Sequence, residues 1–315
     1  MRYPTYAALD LGSNTFRLML ARANEYGLAR NTKRVFQETP RLSEGLTPGA
    51  PFGRAPLERA WAVLDSFKEI VREAKPRKVL CGATMAARMA SDGESFLNDV
   101  KKRYGWKTKL LSGSVEAYLT ASGVLQGLDE PVPKEAIIFD IGGRSTEFIS
   151  VRSKNIQKTL SLDMGVVGLT EKHVRSDPPS PEELMEMEKE IRGILNAADF
   201  SSFKQDSVLI GTAGTVTTTA AMLLNLKEYS PEAVNDLDIR AVRIRNLFNQ
   251  VKTQSLSLRK EHPGLPPGRA DVIVAGLLLI REIISFFRKR LLRVSDNGLL
   301  EGIWLLAAGL IPLDI

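Results

Sequence analysis

Residues 9–15 (LDLGSNT) and residues 139–145 (FDIGGRS) carry one pattern in the two halves of the chain. In each, an apolar strand leads to an aspartate, another apolar residue, a glycine and a short polar turn, after which a second strand begins. Two matched copies in the same order indicate a duplicated domain. The repeat therefore predicts two similar halves, each opening with an acidic β-hairpin, with a cleft between the copies.

The sequence around the hairpins mixes strand and helix patterns, which is typical of the α/β class. Apolar runs predict strands at residues 6–11, 15–21, 78–84, 108–111, 136–141, 145–151 and 208–211. Helical spacing and a Ser-Pro capping signal predict helices at residues 56–74, 114–126, from 181 onward, 271–293 and 299–310. Two prolines make residues 130–133 the clearest linker. We place the domains at residues 1–125 and 126–315, with the last helix packing back on the first domain.

Composition limits the kinds of chemistry that are available. The 315 residues suit about two domains, at roughly 100–200 residues each. A single cysteine excludes an intrachain disulfide and a multi-cysteine metal site. Two histidines, His173 and His262, leave little room for a His-rich metal site or a Ser-His-Asp triad. Catalysis is therefore expected to use carboxylates, backbone amides and bound ions.

The charge balance is mildly basic, with 43 Lys and Arg against 37 Asp and Glu. This would favour the approach of a polyanion, although mildly basic proteins without such a ligand are common. No Lys/Arg block is typical of a nucleic-acid-binding tail, and the first residues turn polar too early for a secretory signal. The longest apolar stretches reach about half the roughly 20 residues of a membrane-spanning helix. We expect a cytoplasmic protein without nucleic-acid or membrane partners.

The polar turns of the two hairpins are candidates for binding phosphate, because glycine-containing turns expose backbone N–H groups. The candidate residues are Gly12, Ser13 and Asn14 in the first turn and Gly142, Gly143, Arg144 and Ser145 in the second. Asp10 and Asp140 precede the turns and would repel a bare phosphate, so a divalent metal is expected between carboxylate and phosphate. One such turn alone could be an ordinary hairpin turn, but two matched copies favour the phosphate interpretation.

A third loop of small and hydroxyl residues spans residues 211–215 (GTAGT), where a strand leads into a helix. Free amides at the start of that helix would bind an anion. Close packing is the alternative explanation for small residues at this position. Beside two other candidate phosphate turns, anion binding through Gly211, Gly214 and Thr215 is the favoured interpretation.

Six motifs in order give the chain a wider resemblance. They are residues 10–15 (DLGSNT), 41–46 (RLSEGL), 140–147 (DIGGRSTE), 211–215 (GTAGT), 269–271 (RAD) and 295–298 (SDNG). Together they resemble the exopolyphosphatase/guanosine pentaphosphate phosphohydrolase family, a branch of the actin–Hsp70–sugar kinase superfamily. The resemblance runs from about residue 6 to residue 303. The two Asp-Gly turns alone would indicate only the superfamily.

This resemblance implies two duplicated ribonuclease H-like domains, as in actin-like ATPases, flanking a central cleft. It also implies hydrolysis of the terminal phosphate of inorganic polyphosphate, with Mg²⁺ or another hard divalent cation, in a homodimer. The 5′-phosphate of pppGpp is the second substrate associated with the family. A catalytically weak sensor that binds polyphosphate or (p)ppGpp, and an ATP-using phosphotransferase, are further alternatives.

The resemblance also implies roles for individual side chains. Glu116, in residues 113–117 (GSVEA), corresponds to the general base, and Glu147 to a carboxylate near the metal and the attacking water. Arg88 corresponds to an arginine that contacts phosphate. The implied metal ligands are Asp10, Asp140 and Glu147. Without the resemblance, Glu116 could be a first-turn surface residue, Glu147 a solvated strand residue and Arg88 part of a surface ion pair.

Three positions depart from the family pattern. Arg144 stands where the family has a third glycine, which adds a cation to the second turn. Gly168 and Leu300 stand where the family usually has arginines. A rearranged set of cations keeps the sensor alternative open and leaves the preferred substrate undecided.

Overall fold

The structure is a computed structural model that describes residues 3–24, 27–128 and 133–312. The chain forms two compact units. The first runs to Gln126 and takes up the chain again from Gly298, and the second is Gly127–Asn297. Of the predicted linker at residues 130–133, only Pro133 lies within the described residues.

The first unit contains a mixed sheet covered by helices on both faces. Its strands in the described residues are β1 (Thr5–Leu11), β2 (Phe16–Asn24), β3 (Gly27–Leu28), β4 (Arg34–Glu38), β5 (Val79–Ala83) and β6 (Lys107–Leu110). Its helices there are α1 (Arg54–Ala74), α2 (Met85–Met89), α3 (Gly93–Tyr104), α4 (Gly113–Gly127) and α12 (Leu299–Ala308). β1 and β2 form an antiparallel hairpin that β4 extends on one side, while β5 and β6 add parallel strands on the other.

The second unit contains a similar mixed sheet. Its strands in the described residues are β7 (Glu135–Ile141), β8 (Thr146–Arg152), β9 (Asn155–Leu162), β10 (Val208–Thr212), β11 (Asp238–Arg240) and β12 (Leu291–Val294). Its helices there are α5 (Val166–His173), α6 (Pro181–Ala197), α7 (Ala213–Leu223), α8 (Pro231–Val234), α9 (Ala241–Val251), α10 (Leu256–Lys260) and α11 (Ile273–Phe286). The strand order is β11-β12-β10-β7-β8-β9.

The two sheets repeat one topology. In each, a hairpin carries an antiparallel third strand, β4 or β9, on one side. On the other side lie two parallel strands, β5 and β6 in the first unit and β10 and β12 in the second. The second sheet adds the antiparallel edge strand β11. This shared order confirms the predicted α/β class and the duplicated ribonuclease H-like fold.

Apolar side chains fix the helices onto these sheets. In the first unit, fully buried Trp304 of α12 donates its indole N–H to the carbonyls of Tyr6 and Ala21, at 3.2 and 3.3 Å, and packs edge-on against the Tyr6 ring. In the second unit, α11 is apolar nearly all round, and it is buried over most of its length, as that composition requires. Within the described residues, no helix is both long and apolar enough to cross a membrane.

The helix predicted at residues 271–293 is wrong at its end. α11 stops at Phe286, and Leu291–Val294 is strand β12, in which Arg293 pairs with Ile210 of β10. Arg288 adopts a left-handed conformation, with φ of 52°, and this breaks the helix. The short apolar run after the break resembles a helical continuation, because periodicity alone does not separate a short strand from a buried helix segment.

Helices α4 and α12 of the first unit pack at backbone distance through glycines. A Cβ atom added at Gly302 would overlap the carbonyl oxygen of Leu119, and one added at Gly123 would overlap the carbonyl oxygen of Gly298. Because both obstacles are backbone atoms, a side chain at either position would force the helices apart.

Gly302→Ala is expected to lower the free energy of unfolding by about 1–3 kcal/mol, because the added methyl group has no space. Gly193→Ala is the matched control: Gly193 lies in α6 with open space around it, and alanine there should stabilise by about 0.5–1 kcal/mol. Thermal unfolding of both variants measures the difference. An unchanged midpoint for Gly302→Ala would contradict the close packing of α4 against α12.

Candidate active site

The predicted site residues of the first unit gather at one edge of its sheet. β1, β5 and β6 are parallel, so their carboxyl ends lie together, and ligands of α/β sheets bind at such an edge. The edge carries the first polar turn after β1, Arg88 of α2 after β5, and Glu116 in the first turn of α4 after β6. The structure thus brings together Asp10, Gly12, Ser13, Asn14, Arg88 and Glu116.

Asp10 lies beside an arginine that sequence analysis did not single out. Arg17 is its cross-strand partner in the hairpin and donates to Oδ2 from Nη2 and Nε, at 2.6 and 3.1 Å. The carboxylate is 5% exposed, and its buried Oδ1 atom has no hydrogen-bond partner. The charge of Asp10 is therefore balanced within its own hairpin, while one oxygen remains unsatisfied.

The first polar turn is held by a neighbouring segment. The Gly12 amide donates to the Thr15 carbonyl at 3.1 Å and closes the turn. The amides of Arg41 and Ser43 donate to the carbonyls of Asn14 and Ser13, at 3.0 and 2.9 Å. The RLSEGL motif therefore fixes the turn through its backbone, and this gives that motif a structural role.

Arg88 and Glu116 form an ion pair at the same edge. Arg88 Nη1 lies 2.8 Å from Glu116 Oε2 and also donates to the Leu111 carbonyl at 2.5 Å. Glu116 is only 7% exposed, so it is not the solvated first-turn residue of the alternative interpretation. The two side chains orient each other beside the end of β6.

The predicted site residues of the second unit gather in the same way at the carboxyl ends of β7, β10 and β12. Asp140 pairs with Thr212, and Gly211 with Val294, which aligns the second turn, the third loop and residues 295–298 along one edge. The structure brings together Asp140, Gly142, Gly143, Arg144, Ser145, Glu147, Gly211, Gly214 and Thr215.

The second hairpin places a carboxylate where the first has an arginine. Glu147 is the cross-strand partner of Asp140, in the register that sets Arg17 opposite Asp10. Both carboxylates are buried, at 8% and 1% exposure, and Glu147 Oε1 accepts a hydrogen bond from Ser161 at 2.8 Å. Two buried carboxylates side by side concentrate negative charge, which favours a bound cation or a proton.

The donor atoms at this hairpin suit a hard divalent cation. Mg²⁺ prefers oxygen ligands and is typically held by one or two carboxylates together with water and substrate phosphates. Asp140 and Glu147 supply such a pair, next to turn amides that can face phosphate oxygens. In the part of the chain that the structure describes, no three His, Cys, Asp or Glu side chains cluster as a metal cage. The second hairpin therefore fits a metal–phosphate complex better than a closed metal site.

The second turn is anchored by the start of α5. The amides of Val166 and Val167 donate to the carbonyls of Gly142 and Gly143, at 3.1 and 2.8 Å. A Cβ atom added at Gly165 would overlap the backbone of Arg144, so a glycine is required there. The first amides of α5 have no partner within the helix, and the turn carbonyls accept their hydrogen bonds. These bonds hold the second turn rigidly against the helix.

Arg144 and Gly168, two of the departures from the family pattern, lie next to each other. Arg144 reaches back along α5, where its Nη2 pairs with Glu171 at 2.7 Å. A Cβ atom at Gly168 would lie 3.8 Å from Arg144 Cδ and Nη1. The Arg144 guanidinium therefore lies beside Gly168, the position where the family usually has an arginine. Leu300, the third departure, is buried in the apolar core of the first unit.

The third loop lies against an arginine. A Cβ atom at Gly214 would overlap the guanidinium of Arg269, and Arg269 Nη1 donates to Thr218 Oγ1 at 3.2 Å. Thr212 Oγ1 donates to the Asn297 carbonyl at 2.8 Å and joins the loop to the SDNG motif. A guanidinium at the start of α7 gives the loop the charge that an anion site requires.

Residues 30–308 match the model of the Ppx/GppA phosphatase family, which is most of the chain. The chain belongs to this family. Its Ppx/GppA membership makes it a phosphohydrolase, which confirms the predicted enzyme class.

Individual Ppx/GppA relatives are similar at moderate identity. The chain is 29% identical over 320 residues to Exopolyphosphatase 2 of Mycobacterium tuberculosis, covering 96% of this chain and 98% of that protein. It is 28% identical over 311 residues to the bifunctional 3-dehydroquinate synthase/phosphatase of Fusobacterium nucleatum. That match covers 94% of this chain but 45% of the relative, so the chain spans less than half of that protein's length.

A solved structure extends the similarity to the fold. The Aquifex aeolicus member of the Ppx/GppA family has 27% sequence identity and a TM-score of 0.81. The match covers 98% of each chain.

Arg17 was not among the residues predicted from the sequence, although its signal was present. Glu147 follows Asp140 at the spacing by which Arg17 follows Asp10, so the hairpin register that links the first pair also predicts the second. Arg269 was recognised as part of a motif but was given no role. Its contact with Gly214 depends on the fold and has no local sequence signal.

A buried ion pair in the first unit was also not predicted. Glu301 of α12, 3% exposed, accepts a hydrogen bond from the Gly298 amide at 2.7 Å and pairs with Lys33 at 2.9 Å. Burial alone would raise the pKa of Glu301. The charges of Lys33 and Arg17, with the Gly298 hydrogen bond, outweigh burial and hold that pKa below its ordinary value of 4.5.

Glu301→Gln is expected to destabilise the protein at neutral pH, and this difference should shrink as the pH falls below 4.5. A carboxylate with a lowered folded-state pKa contributes stability that is fully present above its unfolded pKa and is lost as the pH falls through the folded value. Thermal unfolding from pH 7 down to about pH 3 measures the difference from wild type across the range in which Glu301 takes up its proton. Exposed Glu58→Gln is the control, and an equal pH dependence in both variants would contradict the role of Glu301.

Proposed function

We propose that the protein is a Mg²⁺-dependent exopolyphosphatase that releases orthophosphate from the end of inorganic polyphosphate. The observation that carries this proposal is the buried pair Asp140 and Glu147, set beside the second turn and the third loop at one sheet edge. The similarity to Exopolyphosphatase 2 along nearly its full length supports polyphosphate as the substrate.

We assign the cation to Asp140 and Glu147 of the second unit, and Asp10, the third ligand that the resemblance implies, stays a candidate ligand through Oδ1. The first two provide adjacent buried carboxylates, whereas Arg17 already balances the charge of Asp10. When bound, Mg²⁺ or another hard divalent cation neutralises phosphate charge and orients the phosphate oxygens. The unsatisfied Oδ1 of Asp10 suits a metal or a metal-bound water.

The turns and arginines are assigned to substrate phosphates. Backbone amides and hydroxyls of the three loops would donate to phosphate oxygens, and guanidinium groups match phosphate geometry in a bidentate way. The residues assigned to this role are Gly12, Ser13, Asn14, Arg88, Gly142, Gly143, Arg144, Ser145, Gly211, Gly214 and Thr215. Arg269 joins them because it packs on Gly214.

Glu116 is assigned as the general base. Its carboxylate would accept a proton from the water that attacks the terminal phosphorus. The phosphoanhydride P–O bond then breaks, orthophosphate is released, and the shortened chain leaves with the bridging oxygen. Arg88 holds the Glu116 side chain through the 2.8 Å contact, so the base is oriented before substrate binds.

The second candidate function is pppGpp 5′-phosphohydrolase. The resemblance implies pppGpp as a second substrate, and hydrolysis of its terminal phosphoanhydride would need the same turn amides, cation and base. A binding protein without turnover is the third, because Glu171 holds Arg144 back along α5. Polyphosphate remains the first choice because the exopolyphosphatase relative is matched along almost its whole length.

Purified protein with Mg²⁺ should release orthophosphate from long-chain polyphosphate, and Glu116→Gln should lower kcat by about 10²–10⁴-fold, as expected for loss of a general base. The variant should stay folded under the assay conditions, which its melting temperature checks, and exposed Glu58→Gln should keep full activity. Turnover that is retained by Glu116→Gln would remove Glu116 as the base. Release from pppGpp alone would favour the second function, and binding of both ligands without release would favour the third.

Glu147→Gln should raise the Mg²⁺ concentration needed for half-maximal activity by at least about tenfold, because one of two adjacent carboxylates loses its charge. Glu186→Gln, an exposed change on α6, is the control and should leave the Mg²⁺ dependence unaltered. Titration of activity with Mg²⁺ after chelation measures this. An unshifted Mg²⁺ curve for Glu147→Gln would place the cation elsewhere.

A further inference from the structure

Four exposed arginines lie together at the outer edge of the second unit's sheet. Arg240 ends β11, Arg243 lies in the first turn of α9, and Arg288 and Arg290 lie in the turn between α11 and β12. We call these four residues the arginine cluster. None of them belongs to the loops of the candidate site.

Backbone pairing holds the cluster together. Arg240 is the register partner of Leu291, the residue after Arg290. The Ala241 amide donates to the Arg290 carbonyl at 2.9 Å. Arg240 is the N-cap residue of α9, and Arg243 follows in the first turn of that helix. The backbone therefore places Arg240, Arg243 and Arg290 at one edge of the sheet, with Arg288 two residues before Arg290.

The cluster lies at the opposite end of the sheet from the candidate site. It flanks the start of β12, whereas residues 295–298 and the third loop follow the carboxyl ends of β12 and β10. At about 3.3 Å per residue, the length of β12 separates the two regions by roughly 13 Å or more. One extended polyanion could reach both regions, but a short one could not.

The positive charge of the cluster lacks acidic partners. Residues 239–260 contain six Lys or Arg and no Asp or Glu. Among the described residues, the four arginines take part in none of the ion pairs, whereas Arg17, Arg88 and Arg144 each pair with a carboxylate. The nearby Asp238 is engaged by Arg293 at 3.0 Å. Like charges held close together cost stability unless an anion binds between them.

We propose that the arginine cluster is an accessory binding surface for the distal part of a polyphosphate chain whose end occupies the active site. This rests on the proposed function and adds a preference for long chains. Guanidinium groups bind phosphates in a bidentate way, and a chain held at two places dissociates more slowly than one held at its end. Repeated phosphates match a row of arginines without any need for base recognition.

The proposal is tested with the variant Arg240→Gln/Arg243→Gln/Arg290→Gln. The matched control is Lys68→Gln/Arg77→Gln/Lys78→Gln, which removes three exposed charges from the first unit. The cluster variant should raise KM for long-chain polyphosphate by at least about fivefold. KM for tripolyphosphate and kcat for both substrates should stay unchanged, and the control should alter none of them. The effect should weaken as salt is raised.

Three results would overturn the proposal: equal losses on long and short chains, no change on either, or the same loss in the control. A fourth such result concerns a single-stranded oligonucleotide. If wild type binds it as tightly as long-chain polyphosphate, and the cluster variant weakens both to the same extent, the surface does not select polyphosphate. Because Arg243 donates to the Leu223 carbonyl, Arg240→Gln/Arg290→Gln is tested as well, with melting temperatures of both variants. If wild type hydrolyses neither substrate, the proposed function fails, and direct binding of long and short polyphosphate still tests the cluster.

Discussion

The antiparallel register of the two hairpins decides which side chain lies opposite each aspartate, and the chemistry of both units depends on it. In the first hairpin that partner is Arg17, and in the second it is Glu147. The two hairpins thus share one backbone geometry but differ in charge. The first places an acidic residue opposite a basic one, and the second places two acidic residues opposite each other. The same hairpin geometry occurs twice, and the residue opposite each aspartate gives the two copies different charge.

Close backbone approach is the second constraint, because the polar turns are positioned by neighbours that leave no room for side chains. Gly165 lets the start of α5 lie against the second turn, and Gly214 lets the Arg269 guanidinium lie on the start of α7. The first turn is held by amides from residues 41 and 43. Turns held in this way would need little rearrangement to bind phosphate, as the proposed function requires.

The repeated Asp-Gly pattern was sufficient to predict the α/β class, the duplication and both hairpins, because strand alternation and turn chemistry are local signals. Local signals did not predict β12, because an apolar run after α11 is compatible with helix or strand. The structure shows a strand there, since the left-handed conformation of Arg288 ends the helical path. Arg17 was predictable from the register, but Arg269 and Lys33 were not, since their partners lie far away in sequence. Family motifs supplied the candidate site residues, whereas the contacts between them came only from the structure.

The first unit is discontinuous in sequence, and this has a consequence for synthesis. Its core includes Trp304, whose indole N–H bonds to carbonyls of β1 and β2, yet α12 is made only after the whole second unit. The emerging chain therefore holds an open first sheet, with the apolar surface around Tyr6 uncovered, while residues 127–297 are completed. Domains generally fold as units in order of synthesis, but here the second unit is complete before the first can close. The first unit therefore cannot complete its core until the second unit has been synthesised.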